Sequence, residues 1–316
     1  MVKQPLSRRD FSRFVAGATL ATAPATAAGA LPTRPLGKIG FQASILGLGA
    51  QRIADRPMPQ SEVDRLVAEL IDSGVNYFDT ARGYGRSEEL LGNALQGRRD
   101  QVFLVSKTRA PDREGAMKDV EESLRLLRTD VLDCVHMHNV GRDDRFPDLA
   151  AALSERGALG ALREAKRQGK IKHIGCTSHL RPRRTLQVFE TGEIELFMCS
   201  MNFVERHIYN YEETVLPEAK RRGIGVIAMK VLGGPTSGSV TPRLSSRQDY
   251  EATLRYVWSV PEVAVAIIGI RNLDEVRQAV TAARAYKPFS TTELAGLAIR
   301  GKALASEWGE LRGPVA

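Results

Sequence analysis

The sequence has few cysteines, and no two of them stand at a metal-binding spacing. Cys134, Cys176 and Cys199 each lie inside an apolar run, and no C-x-x-C pair occurs in the 316 residues. An odd number in such settings argues against a disulfide scaffold. The lack of close pairs argues against an iron–sulfur cluster or a structural zinc site. We therefore expect three reduced cysteines in the core.

The sequence also lacks a concentrated run of positive charge. Its 45 Lys and Arg residues outnumber its 37 Asp and Glu residues, giving a net charge of +8, but they are scattered among the acids. Nucleic-acid-binding proteins usually gather basic residues and aromatic residues in one tract. The charge pattern therefore predicts a solvated surface with one anion site, and no nucleic acid partner.

No run beyond residue 30 is long and apolar enough to span a membrane, and the first thirty residues form a segment of their own. Residues 7–11 (SRRDF) carry paired arginines before a mildly apolar stretch, residues 14–25, which is too short to span a bilayer stably. Small residues follow, with A-x-A cleavage sites at 25–27 and 28–30. This order resembles a twin-arginine signal peptide.

We therefore expect residues 1–30 to be a signal peptide and residues 31–316 to be one folded domain. The twin-arginine translocase would be a partner during export. The mature protein would reside in the periplasm, with no stable membrane association after cleavage. The alternative interpretation of this segment is a disordered basic tail.

From residue 44 onward a short apolar run, a loop and an amphipathic helical pattern recur eight times. Gly74, Gly169 and Gly223 follow three of the helical patterns, where helices often end. Strands and helices that alternate at this spacing predict an α/β protein, a closed (β/α)8 TIM barrel. A doubly wound open sheet is the alternative, but its glycine fingerprint is missing after Gly47-Leu48-Gly49. The predicted strands are Ser44–Leu48, Asn76–Asp79, Val102–Lys107, Val131–His138, Ile171–Thr177, Leu196–Asn202, Gly225–Lys230 and Val263–Ile268.

Two further elements flank the predicted barrel. Residues 34–43 read as a β-hairpin around Lys38-Ile39-Gly40, placed to plug the N-terminal end of the barrel. Residues 291–308 have a helical pattern and follow the last repeat. Between the strands, helices are predicted over Ser61–Asp72, Met117–Leu127, Ala158–Gln168 and Asn210–Arg221.

Three consecutive predicted strands end in polar residues that an apolar core would not select. The second ends at Asp79 and leads to Tyr84, the third ends at Lys107, and the fourth ends in His136-Met137-His138. In such barrels the C-terminal strand ends meet at one mouth, where reactive residues gather. We therefore expect Asp79, Tyr84, Lys107 and His138 to form one catalytic group.

These four residue types fit the reduction of a carbonyl group. A phenol with a pKa near 10 holds its proton too firmly for an ideal acid–base catalyst at neutral pH. An ammonium about 4 Å away contributes about 4 kcal/mol at an effective dielectric constant of 20, or about three pKa units. We expect Lys107 to lower the pKa of Tyr84 to near neutral pH and Asp79 to hold Lys107 charged and correctly aimed. His138 would orient the carbonyl oxygen or pass the proton. No side chain supplies a hydride, so a nicotinamide cofactor is implied.

At these residues the sequence resembles the aldo-keto reductase family. Residues 76–88, with Asp79, Tyr84 and Gly85, are similar to the family's N-x-F-D-T-A…Y-G…S-E motif, and Asp133…His138 is similar to its D-x-x-x-x-H. The resemblance covers nearly all of residues 34–286. It implies reduction of an aldehyde or ketone to an alcohol with NADPH, which binds at the C-terminal mouth without a Rossmann fold.

The resemblance also implies a set of cofactor contacts. The I-G-V-S-N position of the family is I-G-C-T-S here, ending at Thr177 and Ser178, and a G-V-x-A-M-x-P-L-G-G loop is matched by residues 225–234. Arg271 stands in the last phosphate-binding turn, and NADP is the expected cofactor. Glu275 follows where glutamine or arginine is common, and an acid there disfavours a 2′-phosphate, so NAD is possible. The implied cofactor contacts are Gly49, Asp79, Thr177, Ser178, Asn202, Met229, Leu232, Gly233 and Arg271.

Four positions depart from the family pattern. Ser178 replaces asparagine, Met198 replaces glutamine, and Met201 and Asn139 replace aromatic residues. The last two changes imply a wider or more polar substrate pocket, and the natural substrate stays open.

Two other functions compete with carbonyl reduction. The weakened nicotinamide contacts favour an NADP(H)-binding sensor or subunit with little turnover. His136 and His138 share one face of a strand and would suit a metal-dependent barrel hydrolase, with His179 as a third ligand.

Overall fold

A computed structural model describes residues 29–55, 57–234, 244 and 246–316. Residues 1–28, which hold nearly all of the predicted signal peptide, lie outside the described residues. Within those described, no helix has the length and apolar character needed to cross a membrane.

Eight parallel strands close into a barrel, as the strand pattern predicted. Each strand pairs with the next along the chain, and the last pairs with the first. The barrel strands are β3 (Leu46–Gly49), β4 (Tyr77–Asp79), β5 (Phe103–Thr108), β6 (Leu132–His138), β7 (Ile171–Ser178), β8 (Leu196–Ser200), β9 (Gly225–Met229) and β10 (Val263–Ile268).

The helices that follow the strands form the outer layer. Their apolar faces pack against the outward side chains of the strands in one continuous core. They are α1 (Gln60–Asp72), α2 (Ser87–Ala94), α3 (Arg113–Leu127), α4 (Leu149–Leu153), α5 (Ala158–Arg167), α6 (Pro182–Glu190), α7 (Tyr211–Thr214), α8 (Leu216–Arg222), α9 (Arg247–Ser259), α10 (Leu273–Arg284) and α11 (Thr291–Trp308).

The predicted hairpin closes the N-terminal end of the barrel. Strands β1 (Thr33–Pro35) and β2 (Gln42–Ser44) pair antiparallel. The turn docks on the start of β9, where the amide of Lys38 donates to the carbonyl oxygen of Gly223 at 3.0 Å. Phe41 packs on Phe103 at the start of β5. With this end closed, the site must open at the C-terminal ends of the strands.

One predicted helix is two helices in the structure. Residues 210–221 were expected to be continuous, but α7 ends at Thr214 and α8 begins at Leu216. Pro217 lies in the first turn of α8, where its missing N–H and its ring are tolerated, whereas they would disrupt a helix interior. The proline therefore explains the interruption.

Candidate active site

Asp79, Lys107 and Tyr84 form a linked set at the C-terminal mouth of the barrel. Asp79 ends β4, Lys107 is the penultimate residue of β5, and Tyr84 lies in the loop after β4. The Lys107 Nζ donates to Asp79 Oδ2 at 2.6 Å, to the Thr80 carbonyl oxygen at 2.8 Å and to the Tyr84 hydroxyl at 3.4 Å. Adjacent parallel strands thus bring the predicted group together.

Lys107 and Asp79 form a buried ion pair. The Lys107 side chain is 1% exposed and that of Asp79 is 2% exposed. Burial lowers the pKa of Lys107, but the charge of Asp79 and then the interaction with Tyr84 outweigh it, so the pKa of Lys107 is raised. Burial raises the pKa of Asp79 despite the attraction of Lys107. Lys107 therefore stays charged, with its three donors directed at fixed acceptors.

The prediction that Lys107 lowers the pKa of Tyr84 to near neutral pH is wrong. Burial raises the pKa of the phenol above its usual value of 10.0, and this outweighs the lowering by Lys107. The nearby carboxylate of Asp79 raises the pKa further, because it offsets the positive charge of Lys107. Tyr84 is therefore a protonated phenol at neutral pH.

His138 lies beside Tyr84, at the end of β6. The two rings meet edge to face, with centroids 5.9 Å apart. Burial lowers the pKa of His138 well below 6.5, and the charges of Lys107, Arg109 and Arg145 add to this effect. Its Nδ1 is buried without a hydrogen-bond partner in the described part of the chain. His138 is therefore a neutral imidazole whose Nδ1 is available for a further hydrogen bond.

A cleft of about 580 Å³ opens above this group. Five of the predicted cofactor residues line it together with Asp79: Gly49, Met229, Leu232, Gly233 and Arg271. Gly49 lets the backbone pack closely, because an added Cβ would lie 3.2 Å from the carbonyl oxygen of Ile268. Gly233 has a φ of 70°, which favours glycine.

Arg271 is engaged by Glu275 at the edge of the cleft. The Arg271 Nε and Nη2 donate to Glu275 Oε1 at 3.0 and 2.7 Å, and its backbone amide donates to Oε2 at 2.8 Å. The carboxylate raises the pKa of Arg271 and compensates its charge. A phosphate would have to share this guanidinium with Glu275.

The other three predicted cofactor contacts do not line the cleft. Thr177 is buried near the end of β7, and its hydroxyl has no partner among the described residues. The Ser178 hydroxyl donates to the carbonyl oxygen of Leu180 and accepts from Tyr211. The Asn202 amide donates to Glu205 and to the carbonyl oxygen of Lys230. Contact of these three with a cofactor stays a prediction.

The sequence reading missed most of the charge in the cleft. Lys230 follows β9, and Arg312 comes from the C-terminal segment, where its guanidinium forms a buried ion pair with Glu205. Burial and then the charge of Arg312 lower the pKa of Lys230 to about 8. Lys230 could have been found at a strand end, whereas nothing local marks Arg312. Arg52, Arg109, Arg142 and Arg145 also line the cleft.

The structure does not assemble the metal site that a hydrolase would need. Among the residues described, no three His, Cys, Asp or Glu side chains are grouped to hold a metal ion. His136 is fully buried, and burial followed by the charge of Lys107 lowers its pKa to about 3. No observation here favours the hydrolase.

Comparison with known proteins agrees with this geometry. The model of the aldo/keto reductase family matches residues 45–249. The chain belongs to the aldo/keto reductase family. Membership indicates NAD(P)H-dependent oxidoreduction of carbonyl compounds. This aldo/keto reductase also has the closed barrel expected of the family.

Individual relatives of the reductase are distant but cover most of it. It is 26% identical to an L-galactose dehydrogenase of Arabidopsis thaliana, over 79% of this chain and 87% of the relative. The solved structure of a protein from Pseudomonas aeruginosa is 30% identical, with a TM-score of 0.67, over 81% of this chain and 95% of that one. The holo form of a Bacillus halodurans aldo-keto reductase shares the fold at 23% identity and a TM-score of 0.72, over 90% and 100%.

Proposed function

We propose that this protein reduces an aldehyde or ketone to an alcohol with NADPH or NADH, and that Tyr84 is its general acid. The observation that carries the proposal is the chain of contacts from Asp79 through Lys107 to Tyr84, with His138 against the same phenol. An oxygen placed beside the Tyr84 hydroxyl and the His138 ring would meet two groups able to donate hydrogen bonds.

Each side chain has a part in the proton transfer. Tyr84, held protonated by burial, gives its proton to the carbonyl oxygen. The tyrosinate that remains is stabilised by the Lys107 ammonium at 3.4 Å. Asp79 fixes that ammonium, and neutral His138 orients the oxygen through a hydrogen bond. A nicotinamide cofactor, when bound, supplies the hydride.

The residues of the cleft fit a dinucleotide. Arg52, Lys230, Arg271 and Arg312 lie around it, and the buried Nη1 of Arg312 has no partner within the described residues. Guanidinium and ammonium groups are the usual partners of phosphate. NADP remains the proposed cofactor with NAD possible, since Glu275 already holds Arg271. Thr177 and Ser178 are retained in the proposal as carboxamide contacts, and Asn202 is retained as a cofactor contact.

An NADP(H)-binding sensor with little turnover is the second candidate. It is favoured by the hydroxyl of Ser178 and the amide of Asn202, which are both used within the protein. The complete Asp79, Lys107, Tyr84 and His138 group favours catalysis instead.

We also propose that the protein is exported to the periplasm through the twin-arginine translocase. The support is the order of Arg8-Arg9, an apolar stretch and small residues in the sequence. Because this route carries folded proteins, the cofactor could be loaded before export.

The proposed activity is tested by oxidation of NADPH and of NADH with a panel of aldehydes and ketones, with the alcohol identified by mass spectrometry. Turnover on the order of 1 per second or faster with at least one carbonyl supports the enzyme. Tight binding of either nucleotide with no alcohol formed supports the sensor and contradicts the proposal.

A further inference from the structure

Three arginines form a second basic group in the cleft, away from the residues assigned to the cofactor. Arg109 follows β5 directly, and Arg142 and Arg145 lie in the loop after β6. We call these three the arginine trio. All of them line the cleft with Tyr84 and His138.

The barrel topology separates the arginine trio from the cofactor-side charges. Lys230 and Arg271 follow β9 and β10, whereas the trio follows β5 and β6. In the closed barrel of eight strands, β5 lies four strands from β9, and β6 lies four strands from β10. The two groups of charges are therefore on opposite sides of the mouth. One dinucleotide whose phosphates lie along β9 and β10 leaves the trio available for another anion.

The trio carries more positive charge than its neighbours neutralise. Asp144 pairs with Arg142 at 2.6 and 2.8 Å and lies 4.0 Å from Arg145. The Arg109 guanidinium forms no salt bridge among the described residues, although the backbone amide of Arg109 donates to Asp119 Oδ2 at 3.2 Å. Its buried Nε has no hydrogen-bond partner there, and its Nη2 reaches only the Gly83 carbonyl oxygen, at 3.5 Å.

The same excess charge is felt by the neighbouring groups. Burial and then the charge of Arg145 lower the pKa of Arg109 itself. Arg109 and Arg145 line the same cleft as Tyr84 and His138, and they add to the lowering of the pKa of His138 by burial and by Lys107. An arginine with unused donors, beside the reacting groups, is suited to a planar carboxylate or a phosphate.

We propose that the arginine trio binds an anionic group of the substrate, so that the protein reduces carbonyl compounds bearing a carboxylate or phosphate. This inference rests on the proposed carbonyl reduction and names its substrate class. Arg109 is the main ligand, because its side chain lines the cleft and its guanidinium forms no salt bridge within the described residues. Arg145 adds charge from the facing loop.

The test compares 4-carboxybenzaldehyde with its neutral methyl ester, which keeps the same ring and aldehyde. We expect kcat/KM to be about tenfold or more higher for the carboxylate, since a hydrogen bond to a charged group contributes that much. Arg109→Gln should lower this preference about tenfold, and added salt should lower it in wild type. Arg125→Gln, on the exposed face of α3, is the matched control and should keep it.

Equal kcat/KM values for the two aldehydes in wild type would overturn the anion site while leaving the reductase intact. If neither aldehyde is reduced, calorimetric binding of 4-carboxybenzaldehyde to the full chain decides. A Kd that rises about tenfold in Arg109→Gln supports the anion site without the reductase. No binding, or binding that is equal in both proteins, overturns it. Arg145→Gln provides a second variant if Arg109→Gln does not fold, with the same loss of preference expected.

Discussion

The acidity of Tyr84 is decided by three neighbouring influences rather than by one. Burial holds the proton on the phenol, Lys107 favours its loss, and Asp79 opposes Lys107 from 2.6 Å away. The pair of charges therefore acts more as a dipole than as a free cation. Tyr84 is therefore protonated at rest, and in the proposed reduction it becomes an anion only as its proton leaves.

The pH dependence of reduction follows from these directions. The pKa of Tyr84 is raised above 10.0 and that of His138 is lowered well below 6.5, so neither group titrates near neutrality. We expect kcat for reduction to be flat between about pH 6.5 and about pH 9 and to fall only above that range. Steady-state rates across this range check it. A fall centred near neutral pH would show that Lys107 wins over burial after all.

Glu275 sets how much of Arg271 is available to a phosphate. Glu275→Gln should remove the charge compensation while keeping an acceptor for the Arg271 amide. We expect the ratio of KM for NADH to KM for NADPH to rise about fivefold, the effect of one exposed ion pair. Glu122→Gln, an exposed acid paired with Arg125, is the control. NADPH differs from NADH by its 2′-phosphate. An unchanged ratio would therefore mean that Arg271 does not contact this phosphate.

For single residues, the sequence predicted which side chains lie together better than it predicted their pKa values. The sequence predicted that Asp79, Tyr84, Lys107 and His138 lie together, because polar residues at strand ends meet at a barrel mouth, and the structure places them in contact. The sign of the Tyr84 shift was missed, since it depends on burial and on the distance from Lys107 to Asp79. Arg109 was missed because one loop arginine carries no pattern of its own.

Elements were predicted from periodicity, and their ends were set by local chemistry. β10 spans Val263–Ile268 and α11 spans Thr291–Trp308, as the pattern indicated. Helix α3 begins at Arg113, four residues earlier than expected, because Asp112 caps it by accepting from the Gly115 amide. A proline divided the predicted helix at residues 210–221. Such ends depend on single side chains, which a repeating pattern does not reveal.

A buried ion pair between Glu205 and Arg312 helps to hold the C-terminal segment against the barrel. Glu205 and Arg312 are 1% and 0% exposed, and Arg312→Met would leave the carboxylate without its cation. We expect a loss of about 3–5 kcal/mol in the free energy of unfolding, measured by urea denaturation. Arg125→Met, at an exposed site, should change it by less than about 0.5 kcal/mol. Equal stability of the two variants would show that the pair is replaceable.

The positively charged residues that line the cleft lie in two groups, on opposite sides of the barrel mouth. The composition indicated only a net charge of +8, and the scattered charges predicted one anion site. The closed barrel turns scattered loop residues into two groups, because residues far apart in sequence follow strands on opposite sides. Such grouping is a property of closure and could not be predicted from any one segment.

Export is a property of the full chain and is tested on it. Changing Arg8→Lys and Arg9→Lys together should keep the protein in the cytoplasm, because the paired arginines are what the translocase recognises. Immunoblots of periplasmic and cytoplasmic fractions, with the wild type as control, give the result. Equal periplasmic amounts of the two proteins would contradict the predicted twin-arginine signal peptide.

The central claim is that Tyr84 donates the proton in carbonyl reduction, and Tyr84→Phe tests it most directly. Phenylalanine keeps the ring against His138 and removes only the hydroxyl that meets Lys107. Tyr286→Phe, outside the cleft, is the matched control. We expect kcat for aldehyde reduction to fall by about 100-fold or more in Tyr84→Phe, with nucleotide binding unchanged and the control near wild type. Full activity in Tyr84→Phe would contradict the assignment.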